Sequence, residues 1–191
     1  MKKIYLVHCW EGNCDDGWYP WLGTKLKDDN IEVIRFNMPN TEHPTIEEWI
    51  KTLDEKVKNL SEETYFIGHS IGCQTIMRYL EKSNAKIGGI LFVAPWLELL
   101  PYAIEDEDSY KTAKPWLNTP IDFEKIKKIT DNIRCIFSSD DYFVSLNQEQ
   151  EFKDKLNAKT LIVENKGHIS EEDGVFELQE ILMEAKNMLK I

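Results

Sequence analysis

The chain has 191 residues, of which 42% are hydrophobic and 30% are charged, and its formal net charge is -11 at pH 7. This composition is typical of a folded globular protein and the length suffices for one sizeable core, so we expect residues 1–191 to form a single domain. The acidic excess argues against nucleic acids and anionic membrane surfaces as partners, because both are bound through patches of lysine and arginine.

Short apolar runs alternate along the chain with amphipathic runs. The first, Lys3–Val7, begins almost at the N-terminus, with neither the apolar segment of a signal peptide nor a span near 20 apolar residues, so we expect a cytoplasmic protein. The predicted strands are Lys3–Val7, Ile31–Phe36, Thr64–Ile67, Ile87–Val93, Ile133–Ser138 and Thr160–Val163. The predicted helices are Trp18–Lys27, Thr45–Asn59, Ile71–Lys82, Asp122–Ile129, Leu146–Leu156 and Glu172–Lys190.

The alternation of strands and helices predicts an α/β fold, in which helices cover both faces of a parallel sheet. Ligands of such sheets bind beyond the carboxyl ends of the strands, where the strand order reverses. Residues 94–120 contain four prolines and the acidic run Glu105–Asp108. We interpret them as a loop with a short helix above this edge, too short for a full cap domain, that supplies the walls of the pocket.

The second predicted helix has a well-defined start and a well-defined face. Thr45 and Glu48 have the spacing of a capping box. The apolar residues that follow recur at helical intervals, which predicts that this face packs in the core. Trp49 belongs to the face, so we expect it to be a core residue rather than a site residue.

The run Gly68-His69-Ser70-Ile71-Gly72 is the most informative motif. It follows a predicted strand and precedes a predicted helix, which is the context of the G-x-S-x-G nucleophile elbow. The turn is so tight that the serine backbone is strained and its neighbours must be small. Ser70 is therefore the candidate nucleophile, at a helix N-terminus that favours developing negative charge.

A serine hydroxyl needs a base to take its proton and an acid to orient that base. In this architecture the acid and the base follow the serine in that order. Asp140 and Asp141 follow the next-to-last predicted strand, and Asp141 is favoured by its D-x-x-V spacing to Val144. His168 follows the last strand on a loop before the final helix and is the candidate base.

A tetrahedral intermediate needs two backbone N–H donors for its oxyanion. Ile71, the residue after Ser70, is one candidate. The second is expected in the loop after the first strand, where Trp10 is the first choice and Cys9 the second. Residues predicted to line the pocket near its mouth are His8, Cys9, Trp96 and Trp116.

The four cysteines, Cys9, Cys14, Cys73 and Cys135, show no paired framework and fit reduced thiols. Cys9 and Cys14 have no partner pair of matching spacing, so no metal site is predicted. The chemistry expected at Ser70 also requires no organic cofactor. A small acyl substrate is the predicted partner, while a protein partner cannot be read from the residues.

The whole chain resembles the small serine hydrolases of the retinoblastoma-binding-protein-9 type. The residues that carry the resemblance are Trp18-Tyr19-Pro20-Trp21-Leu22, Asn37-Met38-Pro39, the elbow, Met77-Arg78-Tyr79, Pro115-Trp116, Glu124–Lys127, Ser139-Asp140-Asp141 and Gly167-His168. The resemblance implies a compact α/β-hydrolase fold with a six-stranded parallel sheet in the order 2-1-3-4-5-6 and no large cap. It also implies that Ser70 is the nucleophile, Asp141 the orienting acid and His168 the base.

The resemblance implies a serine hydrolase that cleaves an ester, thioester or amide. Of these activities, carboxylesterase activity is favoured. One residue departs from the pattern, since many relatives have glycine where this chain has Cys9. A side chain there can crowd the oxyanion loop. The alternative is therefore a weakly active or inactive hydrolase-fold protein that serves as a binding or scaffold module. Non-hydrolytic chemistry on the same three residues, such as a lyase reaction, is a third hypothesis.

Overall fold

The structure is a computed structural model that describes residues 1–27 and 30–191. The strands are β1 (Lys2–Val7), β2 (Ile31–Arg35), β3 (Thr64–His69), β4 (Gly89–Val93), β5 (Ile133–Ser138) and β6 (Lys159–Val163). The helices are α1 (Tyr19–Leu26), α2 (Ile46–Lys56), α3 (Ile71–Leu80), α4 (Glu107–Asn118), α5 (Phe123–Ile129), α6 (Gln148–Leu156) and α7 (Gln179–Leu189), with a short 3₁₀ helix at Pro101–Ile104.

The six strands form one parallel sheet in the order β2-β1-β3-β4-β5-β6, which confirms the predicted topology. The strand order reverses at β1, since the chain places β2 on one side of it and β3 on the other. Val7 pairs with Gly68 in the register, so the carboxyl ends of β1 and β3 lie side by side. The loops that leave these two strands therefore start about 5 Å apart.

Apolar residues fill both faces of the sheet. One cluster includes Trp49 of α2, Ile76 of α3 and Phe152 of α6, and the other includes Leu22 of α1 and Ile181 of α7. All six residues of β3 are buried, as a strand covered on both faces requires. The prediction that Trp49 is a core residue is confirmed by its 0% exposure. Among the described residues, no helix is long and apolar enough to span a bilayer.

The predicted α2 N-terminus is confirmed in detail. The Thr45 hydroxyl accepts a hydrogen bond from the backbone N–H of Glu48 and donates one to the Glu48 carboxylate. The last helix, by contrast, starts at Gln179 rather than at Glu172. Residues 170–178 form turns instead, because the Asp173 carboxylate accepts hydrogen bonds from the backbone and hydroxyl of Ser170. A local side-chain partner has replaced the first helical turns here.

Residues 94–120 are more helical than predicted. They hold the 3₁₀ helix and the 12-residue helix α4, whose N-terminus is capped by the Asp106 carboxylate. Pro115 lies inside α4. An interior proline ordinarily ends a helix, which is why the sequence pattern indicated mainly a loop. The segment crosses the carboxyl edge of the sheet, as expected, and contributes residues to the cavity described below.

Candidate active site

Ser70 lies in the turn between β3 and α3 with φ 53° and ψ -120°, a backbone conformation that residues other than glycine rarely adopt. Its backbone N–H donates to the Val93 carbonyl, which fixes the turn to β4. A Cβ atom added to Gly68 would lie 2.9 Å from the backbone of Cys73, and one added to Gly72 would lie 2.7 Å from the His8 carbonyl. Both positions therefore require glycine, because neighbouring backbone leaves no room for a Cβ atom.

We expect Gly72→Ala to lower the free energy of unfolding by about 2–3 kcal/mol, because the new methyl group would overlap the backbone of β1, which cannot yield as a side chain can. Urea unfolding measures the change. Gly23→Ala is the matched control, since a Cβ there meets nothing closer than 3.5 Å and alanine is preferred inside a helix. Equal stabilities of the two variants would contradict the prediction.

The Ser70 hydroxyl forms hydrogen bonds with two side chains. It lies 2.7 Å from Nε2 of His168, and its oxygen accepts a hydrogen bond of 3.3 Å from the indole N–H of Trp96. The residue is 6% exposed. The Trp96 contact occupies one lone pair of the oxygen, which directs the hydroxyl proton toward His168.

His168 is held from its other side by Asp141. Its Nδ1 lies 2.8 Å from Oδ2 of Asp141, and the two side chains are 8% and 3% exposed. A carboxylate only accepts, so Nδ1 carries the proton and Nε2 of the neutral ring is free to accept from Ser70. Oδ1 of Asp141 accepts from the backbone N–H groups of Phe143 and Val144, which fixes the carboxylate.

The two adjacent aspartates have different partners. Asp140 does not reach His168, and its Oδ1 accepts hydrogen bonds from the Ser138 hydroxyl and the Gly167 backbone N–H. Asp140 therefore ties the end of β5 to the turn that carries the histidine. The sequence left Asp140 and Asp141 as competing acids, and the geometry places Asp141 on the ring.

The predicted oxyanion donors lie after neighbouring strands, Trp10 in the loop that follows β1 and Ile71 at the first residue of α3. Trp10 follows β1 and Ile71 follows Ser70, and within the described parts of the chain neither backbone N–H has a protein acceptor. The N–H of Cys9, the second choice, donates to the Tyr19 hydroxyl at 3.3 Å and is thereby occupied. Trp10 and Ile71 therefore stay the candidate oxyanion donors, because the Cys9 N–H already has a partner.

A cavity of about 650 Å³ opens at this edge and includes Ser70 and His168 in its lining. Its aromatic lining residues are Trp10, Trp18, Tyr19, Trp96, Tyr102 and Phe143. Its acidic ones are Glu11, Asp16, Glu105, Asp106, Glu171 and Glu172. Cys9 and Trp96 line the cavity as the sequence predicted, and the aromatic residues give it room for an apolar group next to the serine.

Two residues predicted to line the pocket do not. His8 is fully buried, with Nε2 accepting from the Met38 backbone N–H and Nδ1 at 2.8 Å from the Cys9 carbonyl. Trp116 is 1% exposed and donates its indole N–H to the Pro44 carbonyl on the α2 side of the sheet. His8 does follow a strand and Trp116 does lie in the covering segment, but both side chains point into the core.

Sequence reasoning missed Tyr102 and Phe143, whose stacked ring centroids lie 6.2 Å apart, with the Phe143 centroid 5.1 Å from that of His168. The aromatic pair Tyr142-Phe143 directly after Asp141 was the available signal. The role of Tyr19 was also missed, and nothing local to Tyr19 indicated it. Its hydroxyl contacts Nδ1 of His69, fifty residues further along the chain.

Burial raises the pKa of the Cys9 thiol to about 11, so this cysteine stays protonated near neutral pH and is a poor nucleophile. Its sulfur lies beside Gly12, where an added Cβ would approach it to 2.8 Å. The Cys9 side chain therefore fills the space beside Gly12 within the loop after β1. Within residues 1–27 and 30–191, no group of three or more His, Cys, Asp or Glu side chains could hold a metal ion.

Burial, with a smaller contribution from His168, lowers the pKa of His69 to about 3. In the unfolded chain the pKa is about 6.5, so below that pH the unfolded state binds a proton that the folded state does not. We expect this group alone to remove about 2 kcal/mol of stability between pH 7 and pH 5. The loss begins as the pH falls through about 6.5 and continues toward 3.

Urea unfolding of the parent protein and of His69→Gln at pH 7 and pH 5 measures this contribution. Glutamine keeps a polar amide but does not titrate, so the variant should lose about 2 kcal/mol less than the parent over this interval. His8, whose pKa burial also lowers, is present in both proteins and cancels. Identical losses in the two proteins would refute the assignment.

The chain is similar to known proteins over nearly its whole length. A family model described as serine hydrolase matches residues 4–186. The chain is 29% identical over 175 residues to YdeN of Bacillus subtilis (strain 168), covering 91% of this chain and 88% of that protein. It is 27% identical over 174 residues to the serine hydrolase RBBP9 of Rattus norvegicus, covering 91% of this chain and 87% of that protein.

Solved structures share the architecture. The crystal structure of the ydeN gene product from B. subtilis matches with a TM-score of 0.90 at 26% identity and covers 100% of both chains. Est1E from Butyrivibrio proteoclasticus, solved with ferulic acid bound, matches with a TM-score of 0.74 at 14% identity, covering 99% of this chain and 88% of that one. The second likeness shows a common α/β-hydrolase fold alone.

Proposed function

Because the chain belongs to the serine hydrolase family, we propose that it is a hydrolase that cleaves a small ester, thioester or amide through an acyl-enzyme on Ser70. The observation that carries the proposal is the continuous line from Asp141 through His168 to Ser70, with contacts of 2.8 Å and 2.7 Å. The line ends in a cavity, so the hydroxyl is accessible to a carbonyl. These contacts support Ser70 as the nucleophile, His168 as the base and Asp141 as the orienting acid.

In the first half of the proposed reaction, Nε2 of His168 takes the proton of Ser70 as its oxygen bonds to the substrate carbonyl carbon. The carbonyl π-electrons move to oxygen, and the N–H groups of Trp10 and Ile71 stabilise that charge. His168 then returns the proton to the leaving alcohol, thiol or amine as its bond to carbon breaks. Asp141 keeps the ring in the required tautomer and stabilises its charged form.

In the second half, a water molecule occupies the place of the leaving group. His168 takes a proton from it, the oxygen attacks the acyl carbon, and collapse of the intermediate returns the proton to Ser70. The product is a carboxylic acid. All of these steps use side chains and backbone groups of this chain.

We favour carboxylic esters of small or aromatic acyl groups as substrates. The support is the aromatic lining next to Ser70, supplied by Trp10, Trp96 and Phe143. A cavity of about 650 Å³ lies within the range of small-molecule sites. Esters also need less assistance to their leaving group than amides do, which suits a site whose machinery is a serine, its base and two amides.

Intact-mass labelling with a fluorophosphonate probe tests the proposal. We expect one adduct on the parent protein, none on Ser70→Ala, and hydrolysis of p-nitrophenyl esters with a preference for short or aromatic acyl groups. No adduct on folded protein, with an active serine hydrolase labelled in parallel, would overturn it and favour the binding or scaffold alternative.

A further inference from the structure

Two histidines outside the Asp141–His168–Ser70 line are buried beside the site. His8 follows β1, His69 precedes Ser70, and they are 0% and 1% exposed. Burial lowers the pKa of both rings, so each is neutral near pH 7 and carries one proton. All four ring nitrogens have hydrogen-bond partners, and these partners determine where each proton lies.

The backbone fixes the tautomer of His8. The Met38 N–H donates to Nε2 at 2.9 Å, so Nε2 is unprotonated and the proton is on Nδ1. Nδ1–H in turn donates to the Cys9 carbonyl at 2.8 Å. That carbonyl belongs to the same peptide plane as the N–H of Trp10, so its orientation determines where the Trp10 amide points.

His69 has the opposite tautomer. Its Nε2 faces the backbone carbonyl of His168 at 2.9 Å, and a carbonyl only accepts, so the proton is on Nε2. Nδ1 then accepts from the Tyr19 hydroxyl at 2.6 Å. The oxygen of Tyr19 in turn accepts from the Cys9 N–H. A chain of hydrogen bonds therefore joins the loop after β1 to the backbone of the loop that carries His168.

We propose that His8 and His69 are positioning residues of opposite tautomer: His8 aims the Trp10 N–H at the oxyanion, and His69 holds the His168 backbone so that its ring reaches Ser70. The proposal rests on the proposed function, since it assigns both histidines to the same reaction. Neither ring is required to touch substrate. Each acts through the backbone group to which it donates.

Asparagine and glutamine substitutions at the two positions give opposite expectations. The amide nitrogen of asparagine overlays Nδ1 of histidine, and that of glutamine overlays Nε2. At position 8, His8→Asn should keep the donor to Cys9, whereas His8→Gln loses it. At position 69, His69→Gln should keep the donor to His168, whereas His69→Asn loses it.

We expect the variants that lose the donor to have a kcat about 10- to 100-fold below that of the parent, with KM changed less than about twofold. The variants that keep the donor should lie within about fivefold of the parent. Thermal unfolding is measured on all four, because a packing role alone would make activity follow stability. Losses that follow stability, or that are equal for asparagine and glutamine at each position, would overturn the proposal.

Tyr19→Phe is a smaller change that removes one oxygen from the hydrogen-bond chain. It should lower kcat about fivefold, because Nδ1 of His69 then loses the hydroxyl that ties the ring to the loop after β1, although the Nε2–H bond to His168 remains. Tyr79→Phe, in the core beside Phe66, is the matched control and should leave kcat unchanged. Equal kcat values in the two variants would contradict the role of Tyr19 and His69.

Long-range ¹H–¹⁵N NMR of the parent protein observes the tautomers directly, and the chain has only four histidines to assign. We expect Nδ1–H at His8 and Nε2–H at His69, and mixed or reversed tautomers would overturn the proposal. Fluorophosphonate labelling distinguishes a failure of the proposed function from a failure of the positioning roles. An unlabelled parent protein refutes the proposed function, whereas a labelled parent with four equally active variants refutes only the positioning roles.

Discussion

Ser70→Gly should lower ester hydrolysis by about 10⁴-fold or more and at the same time stabilise the fold. The hydroxyl that would attack the carbonyl is gone, so only oxyanion binding and substrate positioning remain. The φ of 53° at this residue stores strain on the order of 1–3 kcal/mol, which glycine does not carry. Hydrolysis assays and urea unfolding of the same preparation measure both effects.

Ser70→Ala separates the two effects. It removes the same hydroxyl but keeps the Cβ atom and its strain, so it should be equally inactive and about 1 kcal/mol less stable than Ser70→Gly after the greater unfolded-state entropy of glycine is subtracted. If alanine were as stable as glycine at this position, the strain would be no larger than the entropy difference between the two residues, and the expected gain from glycine would be refuted. Activity in either variant would place the nucleophile elsewhere.

Asp141→Asn should lower kcat by about 10⁴-fold near neutral pH while the fold is kept. The N–H groups of Phe143 and Val144 hold one side-chain oxygen of residue 141, so the asparagine must keep its oxygen there. Its NH₂ group then faces Nδ1 of His168 and donates to it. The proton of the ring is thereby driven to Nε2, which can no longer accept the proton of Ser70.

Asp140→Asn is the control for Asp141→Asn, because it makes the same chemical change one residue away. An asparagine oxygen can still accept from Ser138 and Gly167, so kcat should stay within about fivefold of the parent. Measurement of kcat over a range of pH distinguishes the two. A large loss at Asp140 with little loss at Asp141 would reverse the assignment of the acid.

The sheet and the elbow could be predicted because their signals are local. Each strand is an apolar run bounded by turns, and Gly68 and Gly72 mark a turn whose closeness admits no larger residue. The strand order then brings Ser70 and His168 to one edge although they are 98 residues apart. Topology alone therefore predicts that these two residues of the candidate site lie at the same edge of the sheet.

The direction in which each side chain points could not be predicted in the same way. His8 and Trp116 lie in segments next to the cavity, yet their polar atoms find partners on Met38 and Pro44. The hydrogen bond between Tyr19 and His69 likewise depends on the tertiary structure, which brings Tyr19 of α1 to His69 at the end of β3. Such contacts depend on the tertiary packing of distant segments, and the periodicity of the sequence does not predict them.

The 3₁₀ helix at Pro101–Ile104 has no buried residue, yet Tyr102 and Ala103 belong to the wall of the cavity. Within this short helix, the residues that line the cavity are therefore not part of the hydrophobic core. We expect mutations in this helix to change the shape of the cavity at little cost in stability, which is the condition under which a protein can evolve toward new ligands. Libraries varied at this short helix are accordingly a practical route to altered selectivity, since the elbow and the sheet beneath it stay unchanged.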